Sequence, residues 1–366
     1  PFSVPLVVDR SGDAPQLAIG LVEGQIRTAM ETFTALKKAD LELDHPEEAE
    51  RQGAEIDRSS WRDLSKDERD ACPPLLLVGT SETLAGKGLC DLLETDLPIK
   101  VLVLSDLSFS TDDVAFTALA LRKAFVAQCS ISDPGHFYAC LRDGLHFSGP
   151  ALIHVHAPSP TRHGYDAHRT VERAQMAVHS RAFPIFRYNP AGEGVFGLHL
   201  DLRGNPAPES TFAEDEELGL LTPAHWAARE RRFAESISPL GEDAGATTAV
   251  ADYLLLPEEQ RSGKTPFVTM DGETRHGISS KLVRAFDERV SIWRALQELA
   301  GLVTPFTQKV REEAEQAVAE IHKAEIQSLR SEYEEKIQSS RAENQSEIAE
   351  KIRNQLLVLT GYKSSK

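Results

Sequence analysis

Apolar residues recur at three-and-four spacing between Leu17 and Leu43, through Ile19, Val22, Ile26, Met30, Phe33, Leu36 and Leu41, and this predicts an amphipathic helix. From Glu47 to Arg69 the chain is polar, with Trp61 and Leu64 as isolated anchors, the pattern of a surface helix or loop. The period then changes. Pro73-Pro74 introduces the apolar run Leu75-Leu76-Leu77-Val78, which ends at Gly79, and a helix is predicted from Leu84 to Glu94. A second run, Ile99 to Leu104, ends in the polar pair Ser105-Asp106. The alternation continues with a helix from Val114 to Lys123, a strand from Phe125 to Cys129, a helix from Pro134 to Leu145 and a strand from Ala151 to Val155. Short apolar runs bounded by polar turns and separated by helices imply a mostly parallel sheet buried on both faces. The predicted fold class is therefore a doubly wound α/β domain, in which ligands sit beyond the carboxyl ends of the strands.

Further along, Thr170 to Ser180 reads as a helix and Phe183 to Tyr188 as an edge or terminal strand. Residues Ala191 to Pro208 are rich in Gly and Pro and read as irregular. Thr222 before Pro223 is a helix-start signal. Gly241 to Ala251 reads as a small-residue linker and Gly263 to Gly277 as a polar loop, ahead of a helix from Lys281 to Ala300. From Pro305 to Leu359 the composition shifts to Glu, Lys, Gln, Ala and Arg without Pro or Gly, which predicts one long helix. Its heptad is interrupted near Arg341 to Asn344, so the tail reads either as a coiled coil that self-associates or packs on a partner, or as a solvated helix against its own domain.

Composition narrows the function classes. The 366 residues allow a large core, and 41% hydrophobic with 27% charged residues is ordinary for a globular protein. A net charge of −17 with no basic stripe argues against nucleic acid as a partner. The longest apolar runs are strand-sized, so no membrane span is expected. The opening Pro1-Phe2-Ser3-Val4-Pro5 has neither a basic n-region nor a Met, which suggests a piece of a longer chain. Cys72, Cys90, Cys129 and Cys140 show no CxxC spacing, so a zinc or iron–sulfur site is not indicated and reduced thiols in a cytoplasmic protein are expected.

The residues that could carry chemistry lie at the predicted strand ends. Gly79-Thr80-Ser81-Glu82 and Ser105-Asp106-Leu107-Ser108 offer hydroxyls and free N–H groups that suit an anion, or ordinary helix caps at Thr80, Ser81 and Ser108. Gly86-Lys87-Gly88 is not a P-loop, because Leu89 stands where the motif needs Ser or Thr. His154 and His156 would point to one face of a strand, and with His163, His168 and Asp166 they form the one cluster worth weighing for a metal; structural histidines are the alternative reading.

Several linked blocks then resemble one family. Gly149 to Ser159 (GPALIHVHAPS), His163-Gly164, Ala174 to Val178 (AQMAV) and Phe183 to Pro190 (FPIFRYNP) follow the order and spacing of a segment in pyruvate:ferredoxin (flavodoxin) oxidoreductases. Val101 to Leu104, Phe125 to Gln128, Thr222-Pro223-Ala224, Arg229 to Phe233 and the helix from Glu288 to Ala300 resemble further elements of the same domain. The resemblance implies a thiamine-diphosphate-binding-like domain over residues 1–302, followed by a charged helical tail over 303–366. It also implies the family's chemistry: oxidative decarboxylation of a 2-oxoacid such as pyruvate on thiamine diphosphate held by Mg²⁺, with electrons leaving through iron–sulfur clusters to ferredoxin or flavodoxin.

The departures from the family bear on function. Its Gly-Asp-Gly turn and a downstream Asn supply magnesium ligands, whereas here the first position reads Gly79-Thr80-Ser81 and the second is Thr111. Asp106, Asp112 and Asp113 lie near enough to stand in as magnesium ligands. A cluster-ligating Cys of the family is Ser159 here, and hydroxyl oxygen is a poor substitute for thiolate. The expected function is thus a structurally retained, chemically degenerate copy, without catalytic residues of its own, within a larger oxidoreductase whose other domains or subunits are its partners and which forms a homo-oligomer. The alternatives are an active thiamine-dependent domain with substituted ligands, and an assembly module acting through the tail.

Overall fold

Runs of β-branched and leucine side chains with little local polar competition form the strands of the main sheet. The computed structural model describes residues 5–108, 113–241, 245–270 and 274–360. Seven strands make the sheet: β1 (Leu6–Val8), β2 (Leu75–Thr80), β3 (Ile99–Ser105), β4 (Phe125–Ser130), β5 (Ala151–His156), β6 (Phe186–Tyr188) and β7 (Leu200–Asp201). Their order is β1-β2-β3-β5-β4-β6-β7. The first five pair in parallel, while β6 runs antiparallel to β4 and β7 antiparallel to β6. The predicted α/β class with a mostly parallel sheet and a long terminal helix is what the structure has.

Side-chain parity separates two cores. Val101, Val103, Val126 and Leu152 point to one face, where they meet Val22, Leu89, Val114 and Trp293. Phe125, Ala127, Ile153 and Val155 point to the other, against Cys140 of the helix Pro134–His146. Each such side chain contributes about 1.5–3 kcal/mol by leaving water, offset by the entropy of ordering it. Burial on both faces is complete only for β4 and β5; β2 alternates buried with half-buried positions. Helix starts are locally encoded. Asp133 accepts from the His136 N–H at 2.9 Å ahead of Pro134, and Asp113 accepts from the Phe116 N–H at 3.0 Å.

The single helix expected from Leu84 to Glu94 is two short ones, Ser81–Leu84 and Lys87–Leu93, because Gly86 sits between them at φ 143°, outside the helical region. A larger difference lies beyond Pro208. The stretches read as a linker and a polar loop contain a second sheet, with strands in the order Ile237–Pro239, Thr274–Ile278, Lys264–Met270 and Ala246–Ala249. These strands are short, carry Pro239, Pro266 and Gly277, and bury few side chains, so their alternation is too weak to read. A third core of Phe183, Trp226, Val268, Val283 and Phe286 joins this sheet to the helix Ser280–Leu299.

The chain divides into two compact units, Pro1–Val303 and Thr304–Lys366. The second is the helix Pro305–Leu359, started by a reciprocal cap between Thr304 and Thr307 and carrying exposed Ile321, Ile326, Leu329, Tyr333 and Ile337. Among the described residues no helix is long and apolar enough to cross a membrane.

Candidate functional site

The chain passes from β3 over to β4 and returns to lay β5 beside β3, so the strand order reverses at the β3–β5 junction. In open α/β sheets that reversal leaves a crevice beyond the carboxyl ends of the strands. Here the crevice is a cavity of about 180 Å³ whose lining includes Thr80, Ser81, Glu82, Ser105, Asp106, Ser159 and Arg162. All of these but Arg162 are residues singled out from sequence, and the fold brings them together.

Each has a local role. Gly79 lies within β2, packed so closely that a Cβ there would come 2.8 Å from Leu84 and 3.1 Å from Asp9. Thr80 caps the next helix: its hydroxyl accepts from the Thr83 N–H at 3.3 Å, and Thr83 Oγ1 accepts from the Thr80 N–H at 3.2 Å. Ser81 and Ser105 hydroxyls stand 3.5 Å apart across the crevice. Ser105 Oγ also accepts from the Leu107 N–H at 3.2 Å, which supports Leu107 at φ 61°, a left-handed conformation uncommon for a leucine.

Asp106 is the centre of the electrostatics. Its Oδ2 is 2.9 Å from Arg162 Nη1 and 3.5 Å from His163 Nε2. His163 Nδ1 is 3.7 Å from Glu230 Oε1, and Glu230 Oε2 accepts from Arg232 Nε at 2.6 Å. Arg232 Nη2 then donates to the carbonyls of Asp106 and Leu107 at 2.9 and 3.0 Å, which closes a ring. Burial pushes the Glu230 carboxyl up to about 7 against the pull of Arg232, and burial with the Arg232 charge pushes His163 down. The ring joins the turn after β3, the short helix Pro160–His163 and the turn at Arg231–Phe233.

Gly164 makes that junction possible. It has φ 74°, and an added Cβ would lie 2.7 Å from Arg231 Cβ. We expect Gly164→Ala to destabilise the domain by about 1–3 kcal/mol, read as a lower urea midpoint at unchanged slope. An unchanged midpoint would show that the turn can move aside.

Asp113 does not join the crevice. It pairs with Arg289 at 2.9 Å, both side chains nearly buried, and caps the helix Val114–Leu121. Thr111 and Asp112 lie outside the described residues. His154 and His156 do share a face, as the strand period requires, but each packs on the Phe183 ring at a centroid distance of 5.1 Å. Burial pushes them down to about 4 and about 3, so both imidazoles are neutral. Among the described residues no group of three or more His, Cys, Asp or Glu side chains is arranged to hold a metal ion.

The sequence reading missed Arg162, Glu230 and Arg232 as site residues. Glu230 stands among Arg229, Arg231 and Arg232, and an acid in a basic run looks like a solvated surface until the fold buries it.

No protein-family model matches the chain. Over 62 residues it is 37% identical to pyruvate synthase subunit PorB of Methanothermobacter marburgensis, a match covering 17% of this chain and 22% of that protein. Over 97 residues it is 34% identical to ketoisovalerate oxidoreductase subunit VorB of Pyrococcus furiosus, covering 26% of this chain and 29% of the relative. Pyruvate synthase subunit PorB of Methanosarcina barkeri is 34% identical over 62 residues, or 21% of its length. The matched stretches thus span less than a third of these relatives, and they support kinship with subunits of 2-oxoacid:ferredoxin oxidoreductases.

Proposed function

We propose that this chain is the thiamine-domain-like portion of a 2-oxoacid:ferredoxin oxidoreductase-like protein, kept for its fold and surfaces after its cofactor crevice lost the means to hold thiamine diphosphate with Mg²⁺. One observation carries the reading: Asp106, the carboxylate at the crevice centre, is paired with Arg162 at 2.9 Å, with the His163 ring beside it. A magnesium ion bridging a diphosphate needs several oxygen ligands in near-octahedral array. The lining described here offers hydroxyls, the paired Asp106 and Glu82, and its volume of about 180 Å³ is below the roughly 300 Å³ at which small-molecule sites begin. These residues do not fit the group, and no step of the family's reaction is assigned to them.

The names of the relatives support a 2-oxoacid as the substrate of the parent protein and other subunits as partners. Ser159 at the family's cluster-ligand position supports iron–sulfur clusters being held elsewhere in that parent. The test is made in the intact protein that carries this chain. Ser81→Ala combined with Ser159→Ala should leave 2-oxoacid-dependent viologen reduction at its starting rate. A collapse of turnover with the fold intact would make this crevice a working site.

A further inference from the structure

A second cavity, of about 750 Å³, is lined in part by Arg232 and shares no lining residue with the crevice. We infer that it binds a phosphorylated organic molecule. Its volume is within the range of small-molecule sites. Its walls are the turn at Arg232 and Phe233, Ser236, and the first turns of the helix Ser280–Leu299, which contribute Lys281, Leu282 and Arg284.

The charge arrangement is the argument. A cation near a helix N-terminus opposes the helix dipole, and like charges three residues apart repel. This helix nevertheless begins with Lys281 and Arg284, has no acid in its first turn, and its N-cap Ser279 makes no side-chain cap. Neither cation forms an ion pair with a described residue, although the chain as a whole carries a charge of −17. Within the ligand-free chain this cluster is unfavourable; an anion beside the helix start would offset both cations and the dipole at once.

The geometry adds selectivity. Arg232 is fixed from behind, with Nε on Glu230 and Nη2 on two carbonyls, and its Nη1 makes no hydrogen bond to a described residue. A guanidinium held in this way is ordered before the ligand arrives, which lowers the entropy lost on binding. Ser108 and Ser236 bring hydroxyls, and Glu288 is the one opposing carboxylate among the described lining residues. Phe233 and Leu282 supply an apolar surface beside the cations. An anionic head with an apolar or planar body matches that division, as in a nucleoside diphosphate.

ADP, inorganic pyrophosphate and adenosine titrated calorimetrically into the full chain, without divalent metal, test the proposal. ADP should bind, pyrophosphate more weakly, and adenosine without detectable heat. Lys281→Ala with Arg284→Ala should weaken ADP by about a hundredfold or more, since each cation supplies a charged hydrogen bond worth about tenfold at the least. Both side chains are exposed, and removing them relieves the helix start, so this variant should unfold no earlier than the parent chain. No heat from ADP, equal affinity in the variant, or adenosine binding as well as ADP would overturn the assignment. Pyrophosphate binding as tightly as ADP would remove the apolar surface from it and leave a simple anion site.

Discussion

Lowering the pH from 6.5 to 4 should remove most of the stability of the main domain. His154, His156 and His225 are buried as neutral imidazoles, and burial pushes them from 6.5 down to about 4, about 3 and about 4. In the unfolded chain the same rings take up a proton near 6.5. The unfolded state therefore binds more protons throughout this window, and stability falls as pH falls. Each ring contributes on the order of 3 kcal/mol that is present above pH 6.5 and lost by about pH 4.

Glu230 works in the opposite sense. Its carboxyl is pushed up from 4.5 to about 7, so the folded state holds the extra proton and this contribution grows as pH drops through the same window. It offsets about one of the three histidines. The remainder is comparable with a typical net stability of about 5–15 kcal/mol. Urea titrations followed by tryptophan fluorescence at several pH values should show the midpoint collapsing towards pH 4. His156→Leu, which exchanges the ring between Phe183 and Trp226 for an apolar side chain of similar size, should flatten that dependence. A midpoint independent of pH over this range would mean that the histidines are hydrated in solution.

Arg232→Met should be among the most damaging single substitutions, at about 3–5 kcal/mol, because it takes the hydrogen-bonded guanidinium away from the Glu230 carboxylate at a site with no solvent exposure. It also removes the donor to the carbonyls of Asp106 and Leu107, and leaves the left-handed Leu107 turn held by Ser105 alone. Adding Glu230→Gln should recover part of the loss, since the buried group is then neutral. Both variants are compared by urea midpoint at pH 8, where the Glu230 carboxyl is mostly ionised in the parent chain. A cost below about 1 kcal/mol for Arg232→Met would show that the ring does not hold the crevice turns together.

Much of this fold was legible because its strongest signals are local. Leu75 to Val78, Ile99 to Leu104 and Ala151 to Val155 are apolar runs that end in polar turns, and their carboxyl ends form the crevice. Thr80, Ser81, Ser105, Asp106 and Ser159 were found from those ends and from the family resemblance. The second sheet was not legible, since Thr274–Ile278 buries only Ile278 and one of its two partners, Ile237–Pro239, lies far back in the sequence. The closing half of the charge ring was hidden for a related reason. Asp106 and Arg232 are 126 positions apart, and no spacing rule links them. Asp113 shows the converse. Its proximity in sequence suggested a metal ligand, yet the buried Arg289 draws it away to a helix start.

The most direct measurement is calorimetric titration of thiamine diphosphate with Mg²⁺ into the full chain at neutral pH. A crevice whose central carboxylate is taken by Arg162 should give no binding heat beyond dilution. Saturable micromolar binding that requires Mg²⁺ would contradict the loss of the cofactor site and restore this chain as a thiamine-dependent domain.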